Sequence, residues 1–210
     1  MKDVAATPLQ PIVTGQNRAD DVVVAYPLFQ AERDGSTPIS ALKAKDLIFS
    51  KCNKRLAVDC VRKWHSRLSK TQSSPWQFAF CAELDGEVVA VALWNNPSGR
   101  CLPSHWLELR RMAVSELAPK NTCSRFLSWM VRYFKQHHSD RERCLSYQDT
   151  EVHEGTIYKA SGWEATYTSK PRKRDRSKAR VGTSRMYRSN LNGDEVDAAA
   201  KVRWEISLSR

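Results

Sequence analysis

The sequence predicts an α/β fold, a mixed and mainly antiparallel twisted sheet flanked by helices. Three observations predict it. An Asp85–Gly86 pair joins two β-rich runs, and both central residues of a type I′ hairpin turn need positive φ, which Asp-Gly tolerates. A run over 105–114 leads through a tight loop into a long amphipathic segment that starts at Thr122. Short β-rich and helical segments then alternate to the C-terminal side, and strand–helix–strand crossovers after a hairpin give a mixed sheet.

Each element follows from its residues. Residues 1–38 mix Pro, Gly and polar side chains around one apolar run, Val22 to Tyr26, and are expected to form an irregular N-terminal arm with one edge strand. From 39 to 68, Leu42, Leu47 and Ile48, then Leu56, Val58, Val61 and Trp64, recur near helical spacing, which predicts two helices with a break at Cys52–Asn53. SKTQSSP (69–75) closes them as a linker. WQFAFCAELDGEVVAVALW (76–94) is the hairpin, and HWLELRRMAV (105–114) the next strand. Phe126, Leu127, Met130, Val131 and Phe134 form one apolar helix face. RCLSYQD (143–149) is a strand, HEGTIYKASGW (153–163) a short helix closed by Gly162, and WEATYTS (163–169) a strand. RMYRS (185–189) and KVRWEISL (201–208) can each add one more. The expected organisation is an arm over 1–38, a catalytic domain over 39–169, a basic loop over 170–183, and C-terminal strands over 184–210 that complete the sheet.

Composition narrows the function. No apolar stretch approaches the roughly 20 residues that span a bilayer, and MKDVAATPLQPIV lacks a secretory h-region. A cytoplasmic protein without a membrane partner is expected. The six cysteines are scattered without a CxxC pair, so they read as reduced, mostly half-buried thiols and not as a disulfide or zinc framework. The net charge of +11 favours anionic partners such as nucleic acid, acidic membrane or phosphorylated cofactors. Seven of the eleven residues in KPRKRDRSKAR (170–180) are basic. Lys170, Arg172, Lys173, Arg174, Arg176, Lys178 and Arg180 are candidates to neutralise phosphates, giving affinity without sequence readout.

The join from Val114 to Ser124 is the most specific place for chemistry. A strand enters a tight loop and then a helix, whose first N–H groups and positive dipole end attract phosphate. Lys120 and Arg125 add charge, and Thr122 and Ser124 add hydroxyls. The plainer alternative is an N-cap by Asn121 or Thr122 with the basic residues in solvent.

The span 76–168 resembles the GNAT acyltransferase fold, whose fourth strand, pyrophosphate loop and following helix hold the diphosphate of acetyl-CoA. The usual loop pattern, Q/R-x-x-G-x-G/A, reads P-K-N-T-C-S from Pro119 here. Both glycines are replaced, by Thr122 and Ser124. IYKASGW (157–163) matches a second landmark and puts Tyr158 where that fold often carries a general acid; a core aromatic is the alternative. LELRRMAVSELAPKNTCSRFLSWM and CLSYQDTEVHEGTIYKASGW more closely resemble the phage Mom family, covering roughly 60–168. Those GNAT-like proteins add a carbamoylmethyl group to adenine N6 in DNA and so protect it from restriction enzymes.

The resemblance implies roles for matched positions. Arg111, Lys120, Asn121, Thr122 and Ser124 would hold the cofactor, acetyl-CoA or another activated small-molecule donor. Asp149 would be the principal catalytic carboxylate, with Tyr158 or Tyr147 as proton donor or positioning group. WHSR (64–67) resembles a segment bearing a functional histidine, so His65 is a candidate, although Ser66 stands where that family often has tyrosine. Adenine N6 is a poor nucleophile, and a carboxylate in reach is the natural acceptor of its proton. The DNA partner is double-stranded or locally unpaired, because N6 chemistry inside a duplex requires the base to be extruded. Trp94 or Trp163 could stack on it, though each suits a core role. A metal ion held by His65 and His153 is the weakest expectation, since the ligands are few and far apart. Two other functions stay open: a CoA-dependent N-acetyltransferase acting on a protein or small amine, and a DNA-binding protein that has lost catalysis. The sequence does not set the oligomeric state.

Overall fold

The computed structural model describes residues 43–65, 76–99, 101–171 and 199–209. Seven strands, β1 (Ile48–Lys51), β2 (Phe78–Leu84), β3 (Glu87–Asn95), β4 (Leu107–Val114), β5 (Arg143–Asp149), β6 (Glu164–Thr168) and β7 (Lys201–Ser207), are arranged in the order β1-β2-β3-β4-β5-β7-β6. The helices are α1 (Lys54–Trp64), α2 (Thr122–His137) and α3 (Thr156–Lys159). The described residues fall into two compact units, one of those up to Asn96 with Leu109–Met130 and one of Pro97–Glu108 with those from Val131 onward.

In the first unit the hairpin forms as its turn residues dictate. Asp85 and Gly86 both take positive φ, 52° and 77°, and β2 pairs antiparallel with β3 on either side of them. The near-continuous apolar run of these strands reflects cover on both faces. Ala79, Cys81, Val91 and Leu93 pack with Ala57, Val58, Cys60 and Val61 of α1. On the other face Phe80 meets Trp129 of α2 edge-on at 5.5 Å, and Trp94 Nε1 donates to Met130 Sδ at 3.0 Å.

One expectation is corrected here. The segment before Cys52 is not a helix but a short 3-10 turn, Ala44–Asp46, followed by β1. Four residues are too few to display strand alternation, and β1 is defined by its antiparallel partner β2, about thirty residues away (Ser50 opposite Cys81). The break falls where expected: Asn53 caps α1, its side chain accepting from Arg55 N at 2.8 Å. The cysteines are all free thiols, but Cys52, Cys60, Cys81 and Cys144 are buried and not half-buried, Cys123 is intermediate and Cys101 exposed.

In the second unit β7 lies between β5 and β6, antiparallel to each. Gly155 (φ 75°) starts α3 at a close approach, because a Cβ there would sit 2.6 Å from Gln148 Oε1 and from Trp204 Cζ2. The helix is shorter than expected, and its C-cap is Ala160 and not Gly162, which takes φ 75° two residues further on. The arm over 1–38, RMYRS and Arg172–Arg180 lie outside the described residues.

Candidate functional site

The donor-side candidates sit together on the β4–loop–α2 unit. Ser115 N bonds Val89 O at 2.8 Å, fixing where the chain leaves β4. Asn121 then takes positive φ, 68°, a conformation asparagine adopts more readily than most residues. It does so without either glycine of the usual loop pattern. Thr122, 2% exposed, does not present its hydroxyl to a ligand; Oγ1 donates to Pro119 O at 2.7 Å. Ser124 Oγ donates to Asn121 O at 3.1 Å. Both hydroxyls therefore brace the loop, and anion attraction is left to the helix terminus together with the exposed Lys120 and Arg125. Arg111 Nη1 donates to Arg110 O at 2.6 Å, and the side chain is half-buried. His65 is the C-cap of α1, its backbone N bonded to Val61 O at 2.9 Å.

The second unit holds the other candidates, and it separates them. Tyr158 is 7% exposed, its hydroxyl 2.9 Å from Ser146 Oγ. Its ring stacks on Trp204 (5.4 Å, 12°) and meets Trp163 edge-on. Residues alternate across a strand, so Tyr147, next to Ser146, lies on the opposite face of β5. Tyr147 is 37% exposed. Partial burial raises its hydroxyl pKa, Arg203 hydrogen-bonds and opposes the rise, and Glu108 and Glu205 add to it. The phenol thus stays protonated at neutral pH and can donate a hydrogen bond. Asp149 ends β5, half-buried; Oδ1 accepts from Glu151 N at 3.2 Å, and its carbonyl accepts from His153 N at 3.1 Å. Trp94 and Trp163 are buried, which places both in the core. Among the described residues no group of three or more His, Cys, Asp or Glu side chains could hold a metal, so the expectation of a metal on His65 and His153 is not supported. No helix among the described residues is long and apolar enough to cross a membrane.

A cluster in the second unit was not singled out from sequence. Glu205, 4% exposed, accepts from Arg203 Nε at 2.7 Å, Arg143 Nη1 at 2.9 Å and Thr166 Oγ1 at 2.9 Å. The Arg143 guanidinium lies over the Trp106 ring at 5.1 Å, and Arg203 over Tyr167 at 5.5 Å. Glu108 is also buried, its carboxylate accepting from Ser98 N at 2.7 Å. The alternation of charge in KVRWEISL was the only trace of this cluster in the sequence.

Comparison with known proteins agrees with the geometry. The chain is similar in structure to an acetyltransferase of the GNAT family from Streptococcus pneumoniae (TM-score 0.51, 11% identity, 78% of this chain and 99% of that one). It is similar also to a Bacillus subtilis acetyltransferase in complex with CoA (0.51, 11%, 77% and 97%). A third is the ribosomal-protein-S18-alanine N-acetyltransferase from Escherichia coli (0.52, 9%, 78% and 95%). These likenesses establish the GNAT acetyltransferase fold expected from the sequence. No curated protein matches the chain. The Mom protein family model matches residues 46–205, which is most of the sequence. The chain belongs to the Mom protein family.

Proposed function

We propose that this protein is a transferase that places a carbamoylmethyl group on N6 of adenine in DNA, protecting that DNA from restriction. The match to the Mom family over 46–205 is the single observation that carries this reading. The β4–loop–α2 unit suits a CoA-type donor, because a 16-residue helix opens beside exposed Lys120 and Arg125. Such a donor, when bound, supplies an activated carbon. Lys120, Asn121 and Arg111 would hold its phosphates and orient it, while Thr122 and Ser124 keep the loop in shape. Asp149 would accept the proton that N6 sheds as it attacks. Tyr147, with an accessible and protonated hydroxyl, suits proton donation better than the buried Tyr158. His65 is retained as a weaker catalytic candidate.

The net gain, C2H3NO, contains a nitrogen that an acetyl group lacks. An acetyl group would also join N6 through a carbonyl carbon, whereas this group joins it through a CH2 carbon, so acetyl-CoA alone does not account for it; the donor is an activated carbamoylmethyl unit whose leaving group departs as N6 attacks the CH2 carbon. The basic segment from Lys170 to Arg180 would capture DNA phosphates. The test is direct. The protein is expressed with plasmid DNA, the DNA is digested to nucleosides, and deoxyadenosine is weighed. A gain of C2H3NO supports the proposal.

A second reading, acetylation of a protein or small amine, is favoured by the acetyltransferase neighbours, one of which binds CoA. Unchanged DNA with an acetylated protein would select it. Tight DNA binding with neither product would select a non-catalytic DNA-binding role.

A further inference from the structure

Gln148 is a buried amide at a position where an apolar side chain would pack the sheet with no polar group to satisfy. It is 6% exposed, and strand alternation puts it on the face of β5 that carries Ser146, opposite Tyr147 and Asp149. A buried amide without partners is costly, and this one is engaged at both ends. Oε1 accepts from Trp204 Nε1 at 2.7 Å, and Nε2 donates to the carbonyl of His153. Gly155 lets the chain come this near, because a Cβ there would meet both Gln148 Oε1 and Trp204 Cζ2.

The loop that Gln148 grips is also the loop that holds Asp149. The Asp149 carbonyl accepts from Val152 N at 3.2 Å and from His153 N at 3.1 Å, and Oδ1 accepts from Glu151 N at 3.2 Å. Thr150 ties the near end of the loop to the approach to β7, its N and Oγ1 both donating to Ala200 O, at 3.3 and 2.9 Å. Residues 150–153 therefore set the direction of the carboxylate, and the bond from Gln148 to His153 fastens their far end.

We propose that Gln148, with Trp204 behind it, is a positioning residue for the Asp149 carboxylate, a role that rests on Asp149 taking the proton from adenine N6. A proton acceptor works only within hydrogen-bond reach of the proton it removes, and a side chain on a loop keeps that reach only if the loop is held. Gln148 holds it from the face of β5 away from Tyr147 and Asp149. Glutamine suits the task because it accepts and donates at once. An apolar residue at 148 would leave the Trp204 indole N–H and the His153 carbonyl without this partner, and the loop free to shift.

The test measures modification, DNA affinity and loop exchange on full-length proteins. Each variant is expressed with plasmid DNA, and the initial rate of deoxyadenosine modification is taken per folded molecule. Affinity is read by anisotropy with a fluorescent duplex, and amide hydrogen exchange is followed at Val152 and His153. Gln148→Met, similar in shape but without the hydrogen bonds, is expected to slow modification by up to about a hundredfold, the effect of misplacing a reacting group by about 1 Å, with DNA affinity unchanged and both amides exchanging faster. Gln148→Glu keeps the acceptor for Trp204 but cannot donate to His153, and is expected to behave like Gln148→Met. Trp204→Phe keeps a ring against Tyr158 and loses the indole N–H; added to Gln148→Met, it should slow modification no further. In the unaltered protein the two amides should be protected, a readout that needs no variant to fold, and exchange there at the free-chain rate overturns the proposal. A merely structural role would reduce the amount of folded protein and leave the rate per folded molecule alone. That outcome, or a slowed rate with unchanged exchange at Val152 and His153, ends the positioning role while the DNA reaction stands. If the unaltered protein leaves DNA unmodified, the reaction itself falls and the positioning role with it.

Discussion

The Tyr158 hydroxyl and Ser146 Oγ form a 2.9 Å hydrogen bond inside the second unit, on the face of β5 opposite Tyr147. A tyrosine so placed positions other groups more readily than it delivers protons. Tyr158→Phe is expected to cost about 1 kcal/mol of stability, the net value of a typical hydrogen bond, and to keep most DNA modification. Thermal unfolding and nucleoside mass analysis check the two halves. A hundredfold loss of product from a stably folded Tyr158→Phe variant would restore Tyr158 as proton donor.

Asp149 is the residue whose loss should separate chemistry from binding. Its Oδ1 accepts from Glu151 N, and asparagine keeps that acceptor, so Asp149→Asn should preserve the turn. Modification is expected to vanish while DNA affinity stays nearly intact. Anisotropy and nucleoside analysis on the same preparation decide it.

The basic segment should behave in the opposite way. Charge reversal to glutamate at Lys170, Arg172, Lys173, Arg174, Arg176, Lys178 and Arg180 is expected to weaken DNA capture first, with less effect on turnover at saturating DNA. The slope of log affinity against log salt should shrink by about 0.9 for each phosphate contact removed. Equal loss of capture and turnover in both this variant and Asp149→Asn would end the division of labour.

How much of this was legible beforehand depended on sequence distance. The hairpin was readable because Asp85–Gly86 is a local signal, and β5 emerged with the expected bounds, Arg143–Asp149. β1 was misread because Leu47 and Ile48 happen to fall in helical spacing with Leu56, and its true partner lies on β2. The loop between β4 and α2 forms where the sequence puts it, but the inward bonds of Thr122 and Ser124 were not legible, because a positive φ at Asn121 is invisible in the residue string. The Glu205 cluster was missed for a related reason: Arg143 meets it only through a strand register spanning about sixty residues.

Burial sets the behaviour of the thiols. It pushes Cys60 up to about 11, and raises Cys52 and Cys144 as well, hydrogen bonding to Cys81 being the largest cause at Cys52 and burial at the other two. Because the folded form disfavours thiolate, its full stability is present below the unfolded thiol pKa and is lost as pH rises toward 11. The melting temperature is expected to fall above about pH 8.5, where free cysteines ionise, and Cys60→Ala should flatten that fall. In the native protein at neutral pH, a thiol reagent should label the exposed Cys101 first.

Gly155 tests the packing beneath α3. Gly155→Ala forces a Cβ against Gln148 and Trp204 at a positive φ, and should cost about 1–3 kcal/mol. Chemical denaturation measures it. An unchanged midpoint would mean that the two side chains move aside freely.

The sheet order also bears on how the protein is made. β6 is translated before β7 yet sits at the sheet edge with β7 as its neighbour, so a nascent chain that has emerged only as far as Thr168 holds a strand with nothing to pair against. The segment between them must be synthesised before β6 can dock, and until then its open backbone is exposed to chaperones and to other chains.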